Sequence, residues 1–487
     1  MVMHEFMKSK PDLLEIAEGM LALARQDSQS VYRYRQTIYN SLYIERGRKN
    51  ITRCGFASTY NVEDIDAKIY SSIHGEELFP FNLSQFETWR KRSETPFIFS
   101  HKGIPLPTET HVVYHPLPSN YDQWDEDLTR FTREYKNERV TREFGVEQQI
   151  IVNSHGGMVV ESRPFFSIHY RQGYHPHMIT RSVGAYVRSN KEIDRIPLLI
   201  RYLPDPTPDE RVRKSTTFTD AFARLHEMSH TIHYENLDEA GLNKYLTLDV
   251  IMLSGVPVHE IFGHQFEEPI HPLNVGQQSL FPIGKNVQNS HILLRDDPTQ
   301  VLEELEVLGS YHFDCYGRKA KPTLHIADSQ VQEHLGGEYI DLKNLKTFLG
   351  IEKSPFVGST RQGDEGSFPQ PRMSCTVLEG EEEAIDPTGK LVMVPFDGYV
   401  LDGNFFKVMS SECYVIDGGG VPRRLCPLEG SRAIYDSLIG MHVLPGKSHH
   451  IGTCSKPNLL DDHTESEVMV SFLANHQMWE HLTIRTL

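Results

Sequence analysis

The run Val256-Pro257-Val258-His259-Glu260-Ile261-Phe262-Gly263-His264 joins a boundary between two structural elements to side chains that can bind a metal. Residues 246–253, just before it, are mainly apolar and predict a buried strand. Ser254 and Gly255 predict a turn, and Pro257 suits the first turn of a helix. We therefore expect a strand, a turn and a helix that together hold the His-Glu pair on a rigid support.

The two histidines of this run have an unusual spacing for a shared metal. On an ideal α-helix, His259 and His264 would point roughly 140° away from one another. A local i→i+5 turn would bring both imidazoles to one face, and such turns occur often at functional sites. Gly263 is the residue best able to permit this widening or a close approach of another backbone. A shared metal therefore requires a local departure from α-helical geometry.

A second run, His226-Glu227-Met228-Ser229-His230, has the more familiar HExxH spacing. Histidines four residues apart lie roughly 40° from one another on a helix, and the glutamate between them suits a general base. However, Arg224 stands two positions before the motif, and no third ligand follows at the metzincin spacing. These surroundings favour a partly solvated helix flank, whereas the spacing alone favours a metal site. The residues by themselves leave the choice between the two runs open.

The pattern along the whole chain predicts an α+β protein of two domains. Predicted helices cover residues 12–25, 125–137, 217–235, 342–348 and 432–439, and predicted strands cover 32–44, 51–60, 150–152, 158–160, 165–170, 177–187 and 245–253. The alternate prolines at 204, 206 and 208 predict a boundary. We expect an N-terminal α/β domain over residues 1–203. A C-terminal, mainly antiparallel β domain over residues 204–487 would carry the strand–turn–helix metal site.

The composition argues against several classes of partner. Its 487 residues include 49 Lys and Arg against 66 Asp and Glu, a formal net charge of −17, which argues against nucleic acid and anionic membranes as partners. The longest apolar stretch, residues 246–258, is too short to span a bilayer. The six cysteines are scattered without a CxxC pair, and no secretory signal is recognised. We expect a cytoplasmic protein with reduced thiols.

Three stretches of the second half resemble the TldD/PmbA family of TldD-type zinc metallopeptidases. The run HEIFGH, continued by Gln265-Phe266-Glu267, is similar to the family's HExxGH-x-x-E pattern. Residues 358–361 (GSTR) and 370–373 (QPRM) resemble its Gly-Arg stretch and the Pro-Arg-Met that follows it. Residues 451–456 (IGTCSK) resemble its late Gly-Thr-Cys-Gly-Lys segment. The stretches occur in the family's order, and the resemblance covers about residue 150 onward.

The resemblance implies a zinc site in which His259, His264 and Cys454 are the ligands. It also implies that Glu260 is the general base toward a zinc-bound water. This chemistry is coherent, because two imidazoles and one thiolate leave a fourth tetrahedral position for water. A glutamate at this place can take a proton from the water and return it to the leaving amine.

Two further residues have an expected place near this site. Glu267 follows His264 by three residues, so it is either a carboxylate that orients an imidazole or a solvated residue at the helix end. Arg372 either binds the substrate backbone or carboxylate, or pairs with one of the many acids. Both are candidates for a supporting role rather than for direct catalysis.

The leading hypothesis is a zinc-dependent metallopeptidase that hydrolyses small or unfolded peptides. The resemblance implies a dimer, either a homodimer or a heterodimer with a related subunit. One alternative is a non-catalytic partner or modulator subunit of such a heterodimer, although the joint presence of all four site residues argues against it. Another alternative is a conventional HExxH peptidase that uses His226 and His230.

Overall fold

The computed structural model describes residues 12–65, 68–75, 94–96, 106–136, 138–173, 178–207, 211–229, 235–237, 240, 242, 247–267, 279–336, 359–363, 367–401, 404–458 and 461–487. The helix predicted over residues 342–348 and the histidine at 230 lie outside these residues. None of the helices in the described ranges is long and apolar enough to cross a membrane. None of the five cysteines whose side chains are described forms a disulfide.

Helices are few and short in the described part of the chain. The α-helices are α1 (Leu13–Ala24), α2 (Asp125–Glu134), α3 (Asn190–Ile193), α4 (Phe218–Ser229) and α5 (Ile434–Ile439). Ile196–Tyr202 and Gly263–Phe266 are 3₁₀-helices, and Val258–Phe262 is a π-helix. The N-terminus of α1 is capped by Asp12, whose carboxylate accepts a hydrogen bond from the amide of Leu14 at 2.9 Å.

Strands make up most of the ordered structure. The first twelve are β1 (Ser30–Glu45), β2 (Arg48–Asp64), β3 (Ile69–Gly75), β4 (Glu94–Pro96), β5 (Thr110–Tyr114), β6 (Glu138–Asn153), β7 (Met158–Gln172), β8 (Ile179–Tyr186), β9 (Thr247–Met252), β10 (Ile292–Asp296), β11 (Val301–Leu302) and β12 (Leu305–Val307). The others are β13 (Thr323–Ala327), β14 (Gln330–Val331), β15 (Thr360–Arg361), β16 (Gln370–Pro371), β17 (Cys375–Gly380), β18 (Leu391–Val394), β19 (Asp397–Leu401), β20 (Phe405–Ser410), β21 (Glu412–Ile416), β22 (Pro422–Leu425), β23 (Leu428–Ala433), β24 (Met441–Asn458) and β25 (Asp461–Thr486).

Two large sheets organise these strands. The first has the order β11-β12-β8-β7-β6-β1-β2-β3-β4, with β5 added to β7, and all its pairings except β5–β7 are antiparallel. The second contains the path β14-β13-β10-β17-β25-β9-β18-β21-β22, with β19, β20, β23 and β24 attached beside it. Mainly antiparallel sheets with a few helices confirm the predicted α+β class. The domain boundary at residue 203 stays a prediction.

Two large apolar clusters lie against the sheets, and the first cluster also includes Cys375, Val377 and Leu473 of the second sheet. In the first, Phe144 and Phe166 pack with Phe131 of α2 and Phe222 of α4, which places these two helices on one face of the sheet. In the second, Val258, Ile261, Phe262 and Phe266 belong to the same cluster as Trp479 of β25. Burying a large apolar side chain stabilises the fold by about 1.5–3 kcal/mol. The π-helix is therefore anchored to the second sheet by side chains that are almost completely buried.

Candidate metal centre

The strand–turn–helix predicted around the HEIFGH run is present. β9 lies between β18 and β25, and the chain turns at Ser254 and Gly255 before the π-helix begins. The amide of His259 donates to the carbonyl of Gly255 at 3.1 Å, which fixes the first turn. The π-helical geometry supplies the i→i+5 widening that a shared metal would require, and it brings the rings of His259 and His264 to a centroid distance of 4.9 Å.

Gly263 lies against side chains, not against another backbone as the sequence suggested. A Cβ atom at this position would lie 3.0 Å from Cε of Met373, closer than ordinary van der Waals contact. Met373 directly follows Arg372, so the side chain next to that arginine packs against the helix at this glycine. Glycine is therefore needed here because it has no side chain and not because of an unusual backbone angle, since its φ is −54°.

Three donor groups from distant parts of the chain meet at this point. One donor atom each from His259, His264 and Cys454 lies within 4.8 Å of the others, and Sγ of Cys454 is 3.4 Å from Nε2 of His264. His259 and Cys454 are buried. Among the residues the structure describes, no other three histidine, cysteine or acidic side chains bring one donor atom each close enough together to share a metal ion. The structure thus brings together the three residues proposed as ligands.

Each imidazole is held by a hydrogen bond on the side away from the cluster. Nδ1 of His259 is 2.7 Å from the hydroxyl of Thr376 on β17, and Nδ1 of His264 is 2.6 Å from the carboxylate of Glu267. Partners of this kind fix the tautomer and the ring orientation of a metal-binding histidine. In both rings Nε2 is therefore the nitrogen that faces the cluster.

Glu267 is a buried carboxylate rather than a solvated one, with a relative exposure of 3%. It accepts a hydrogen bond from the amide of Met373 at 2.7 Å and forms an ion pair with Lys456. Although burial opposes ionisation, the charges of Lys456 and His264 hold the pKa of Glu267 well below its usual range. A fixed negative charge therefore lies directly behind His264.

Arg372 lies behind the sulfur of Cys454 and is completely buried. Its Nη2 donates to Sγ of Cys454 at 3.1 Å and to the carbonyl of the same residue at 2.6 Å. Its Nη1 donates to the carbonyl of Ser466 on the neighbouring strand at 2.9 Å. Although burial opposes it, the charges of His264 and Arg372 hold the pKa of Cys454 well below its usual range. The surroundings of the sulfur therefore favour its thiolate form.

Glu260 has a side chain that is 20% exposed, close to the 19% of His264, whereas His259 and Cys454 are buried. Its Oε2 lies 3.3 Å from Nε2 of His264, and its Oε1 lies 4.0 Å from Nε2 of His259. Burial opposes ionisation, but the hydrogen bond to His264 and the charge of His259 lower the pKa of Glu260. Gly398 on β19 packs against this residue, since a Cβ there would lie 3.4 Å from Cβ of Glu260. An ionised carboxylate thus stands at the open side of the cluster.

The competing HExxH run lies elsewhere, on α4 beside the first sheet. Nδ1 of His226 is 2.7 Å from the carboxylate of Glu138, and Glu227 forms an ion pair with Arg224 at 2.6 Å on the exposed side of the helix. His230, the other proposed ligand of this run, is not among the described residues. The described part of the run therefore consists of a histidine paired with an acid and a glutamate at the surface.

Two residues at the centre were not singled out from the sequence. Thr376 and Lys456 act on the imidazole of His259 and on the carboxylate of Glu267, respectively. Lys456 belongs to the quoted IGTCSK segment, so its place two residues after Cys454 was an available signal. Thr376 lies 117 residues from His259 along the chain, and no local pattern marks it.

Comparison with known proteins gives matches among solved structures. No protein-family profile and no curated protein matches the sequence. TldE from Thermococcus kodakarensis aligns with a TM-score of 0.61 at 12% identity, over 96% of this chain and 100% of the other. A candidate modulator of DNA gyrase from Thermotoga maritima gives 0.57 at 15% identity, over 97% and 100% of the two chains. Another from Bacteroides thetaiotaomicron gives 0.58 at 10% identity, over 97% and 98%.

These similarities extend over nearly the whole length of both chains in each pair. At identities of 10–15% they establish the fold and nothing further. The chain has the fold of TldE and of the two candidate gyrase modulators. The resemblance to the TldD/PmbA family found in the sequence is thus supported by the three-dimensional structure.

Proposed function

We propose that this chain is a zinc-dependent metallopeptidase that hydrolyses small or unfolded peptides. The observation that carries the proposal is the arrangement of His259, His264 and Cys454 as three converging donors, with the carboxylate of Glu260 on their open side. Cytoplasmic location and assembly as a homodimer or as a heterodimer with a related subunit are parts of the same proposal.

The donor set fits a zinc ion. Zinc–nitrogen and zinc–sulfur bonds of about 2.0–2.3 Å in a tetrahedron separate two ligand atoms by roughly 3.5 Å, close to the 3.4 Å between His264 and Cys454. Nε2 of His259 is buried and has no hydrogen-bond partner within the described residues. Leaving a buried polar atom unsatisfied costs about 1–3 kcal/mol, and a bound cation would remove that cost. The thiolate favours zinc over magnesium or calcium.

The surrounding residues have separate tasks in this proposal. Thr376 and Glu267 orient the two imidazoles, and Arg372 compensates the charge of the thiolate. When bound, zinc would acidify water and polarise the scissile carbonyl group. Glu260, ionised and partly exposed, takes a proton from the attacking water and delivers it to the nitrogen of the departing amine.

The decisive experiment measures bound zinc in the purified protein by mass spectrometry of the metal. We expect about one zinc per chain in the wild type. Cys454→Ala should lose it, whereas His226→Ala and His230→Ala should retain it. Loss of zinc only in the His226 and His230 variants would transfer the site to the competing HExxH run. Absence of zinc from every form, after reconstitution with zinc, would refute the proposal.

A second measurement separates binding from catalysis. Glu260→Gln preserves the shape of the side chain but cannot take the proton, so it should keep zinc and lose at least about 100-fold in kcat on unstructured peptides. Unchanged turnover would remove Glu260 as the general base.

The alternative of a non-catalytic modulator has one observation in its favour, which is that two of the matched structures are described as candidate modulators of DNA gyrase. A protein of that kind would bind a partner without cleaving peptides. It is favoured if the zinc-loaded wild type and Glu260→Gln show the same absence of cleavage over a broad peptide library.

A further inference from the structure

A cavity of ≈ 200 Å³ lies beside the proposed metal centre, where the end of the first sheet meets the second. Met178, Thr180 and Arg181 line it from β8 and the residue before that strand, and Pro204 closes one side. The opposite wall is formed by the segment from Val394 to Phe396, which leads into β19. No residue proposed for zinc binding or proton transfer lines this cavity.

The rim of the cavity lies close to Glu260. Phe396 stands two residues before Gly398, and Gly398 packs directly against Glu260. Phe396 is 47% exposed, an unusual environment for a large aromatic side chain. A peptide that passes Glu260 along β19 would therefore meet this ring at the mouth of the cavity.

The inner wall of the cavity lies close to His259, one of the proposed ligands. Ser254 lines it at the start of the turn that leads into the π-helix. His450 lines it as well, and its ring stacks on Phe472 with the centroids 6.0 Å apart. The ring of Phe472 lies in turn 4.7 Å from that of His259. One aromatic side chain thus separates the cavity from the metal cluster.

The residues that line the cavity favour an uncharged side chain as its occupant. Its charged groups, Arg181 and Glu412, form a bidentate pair with both side chains 3% exposed, so they neutralise each other. A charged side chain would enter without a counter-ion and would lose its hydration. Most of the remaining wall area is apolar, and its polar groups are uncharged side chains of Thr180, Ser254 and Ser411 together with the ring of His450. By size, a cavity of about 150 Å³ is already sufficient for a benzene molecule. An aromatic or large aliphatic side chain therefore fits both the size and the polarity.

We propose that this cavity is the subsite that holds a large apolar or aromatic side chain of the peptide close to the bond that is cleaved. This inference rests on the proposed peptidase function. It assigns the specificity of the enzyme to the mouth residue Phe396 and to the wall residue Met178, rather than to the metal centre itself.

The test uses unstructured peptides that are identical except for one residue, which is Phe, Leu, Ala or Asp. The variable residue is moved through the three positions on each side of the cleaved bond. At one position, kcat/KM should be at least about 10-fold higher for Phe or Leu than for Ala, and lowest for Asp. Phe396→Ala removes the aromatic ring at the mouth of the cavity, and Met178→Trp fills the cavity. Both variants should bring these ratios close to one.

Phe405→Ala is the matched control. Phe405 is 54% exposed on β20, the strand paired with β19, and it does not line the cavity. This variant should keep the wild-type preference. If the wild type cleaves all peptides equally well at every position, or if Phe405→Ala loses the preference as strongly as Phe396→Ala, the subsite is refuted.

Measuring peptide binding directly separates failure of the subsite from failure of the proposed peptidase function. The dissociation constants of fluorescent peptides are measured on zinc-loaded Glu260→Gln, which does not need to turn over. Tighter binding of the Phe peptide than of the Asp peptide, lost in the double variant with Met178→Trp, supports the subsite even if no cleavage is found. Equal dissociation constants for all peptides refute it independently of catalysis.

Discussion

The guanidinium group of Arg372 contacts the sulfur of Cys454 at 3.1 Å, although the two residues are 82 positions apart in the chain. The same Nη2 atom also binds the carbonyl oxygen of Cys454, so the arginine fixes the side chain and the backbone of this residue together. A guanidinium is permanently charged and planar, which suits a buried thiolate better than a solvated ammonium would. Within the described residues, Arg372 thus bonds directly to the cysteine, and its positive charge also acts on the carboxylate of Glu267.

This contact predicts that Arg372 supports zinc binding. Replacing it with Met removes the positive charge beside Sγ of Cys454, so a proton competes more strongly with zinc for the sulfur. We expect Arg372→Met to weaken zinc binding at pH 7 by about 10- to 100-fold. Arg372→Lys should recover part of this loss because it keeps the positive charge, although it lacks the planar set of N–H donors of a guanidinium group. Competition with a chelator of known affinity measures the effect.

Arg361→Met is the matched control for this prediction. Arg361 is also an inward-facing arginine near the site, but it donates to the carbonyls of Met373 and Met469 and does not contact Cys454. Both variants should unfold at a lower temperature, whereas only Arg372→Met should lose zinc affinity at temperatures where it is folded. An equal loss of affinity in both would show that the effect of Arg372 is only structural.

Glu267 gives a second prediction, because its carboxylate holds Nδ1 of His264 at 2.6 Å. Glu267→Gln keeps the size of the side chain but removes the charge that fixes the tautomer of His264. We expect zinc affinity to fall by about 10- to 100-fold. Glu227→Gln, in the HExxH run on α4, should leave the affinity unchanged. The prediction fails if the Glu227 variant is the more affected of the two.

The sequence reveals those parts of the fold and site that depend on neighbouring residues. Apolar periodicity predicted α1, β1 and β2 to within a few residues. The five-residue spacing of His259 and His264 showed that a shared metal would require an i→i+5 turn, and the structure contains one. These features follow from local geometry, in which each residue constrains the next one or two turns of the backbone.

Other features depend on strand pairing over long distances and have no local signal. Thr376 reaches His259 because β17 and β9 both pair with β25, one in parallel and the other in antiparallel orientation. The contact of Arg372 with Cys454 likewise requires the β24–β25 hairpin to be folded against the segment that carries the arginine. Such registers are set by tertiary packing, which a single sequence does not display.

The space at Gly263 leads to a third prediction. Gly263→Val would place side-chain atoms against Met373, because even a Cβ lies 3.0 Å from its Cε. We expect a loss of about 1–3 kcal/mol in the free energy of unfolding. Gly418→Val should change it by less than about 0.5 kcal/mol, since a Cβ at Gly418 meets nothing within 4 Å.

A double variant tests whether Met373 is the cause. Met373→Ala alone should destabilise the protein by leaving a cavity, but that cavity should also make room for the methyl groups of the valine introduced by Gly263→Val. The cost of the double variant should therefore be less than the sum of the two separate costs. Urea unfolding of the four proteins measures this coupling. Strictly additive free energies would show that the steric conflict at Gly263 lies with another residue.

The last prediction concerns stability and pH, and it rests on His312. The ring of His312 bonds to the carboxylates of Glu161 on β7 and of Glu306 on β12, and these two hydrogen bonds raise its pKa to about 9. An unfolded histidine titrates near 6.5, so the folded protein binds this proton more tightly than the unfolded chain does. The stabilisation is therefore complete below about pH 6.5 and is lost as the pH rises toward 9.

Between pH 6.5 and 9.5, we expect the free energy of unfolding of the wild type to fall by on the order of 1–3 kcal/mol more than that of His312→Gln, which cannot bind this proton. Urea unfolding at one-unit steps of pH measures both. His291→Gln is the control, because His291 and its partner Glu381 are both exposed and such pairs contribute little to stability. This control should keep the wild-type pH dependence. Parallel curves for the wild type and His312→Gln would instead show that the cluster of His312, Glu161 and Glu306 does not bind its proton more tightly in the folded state.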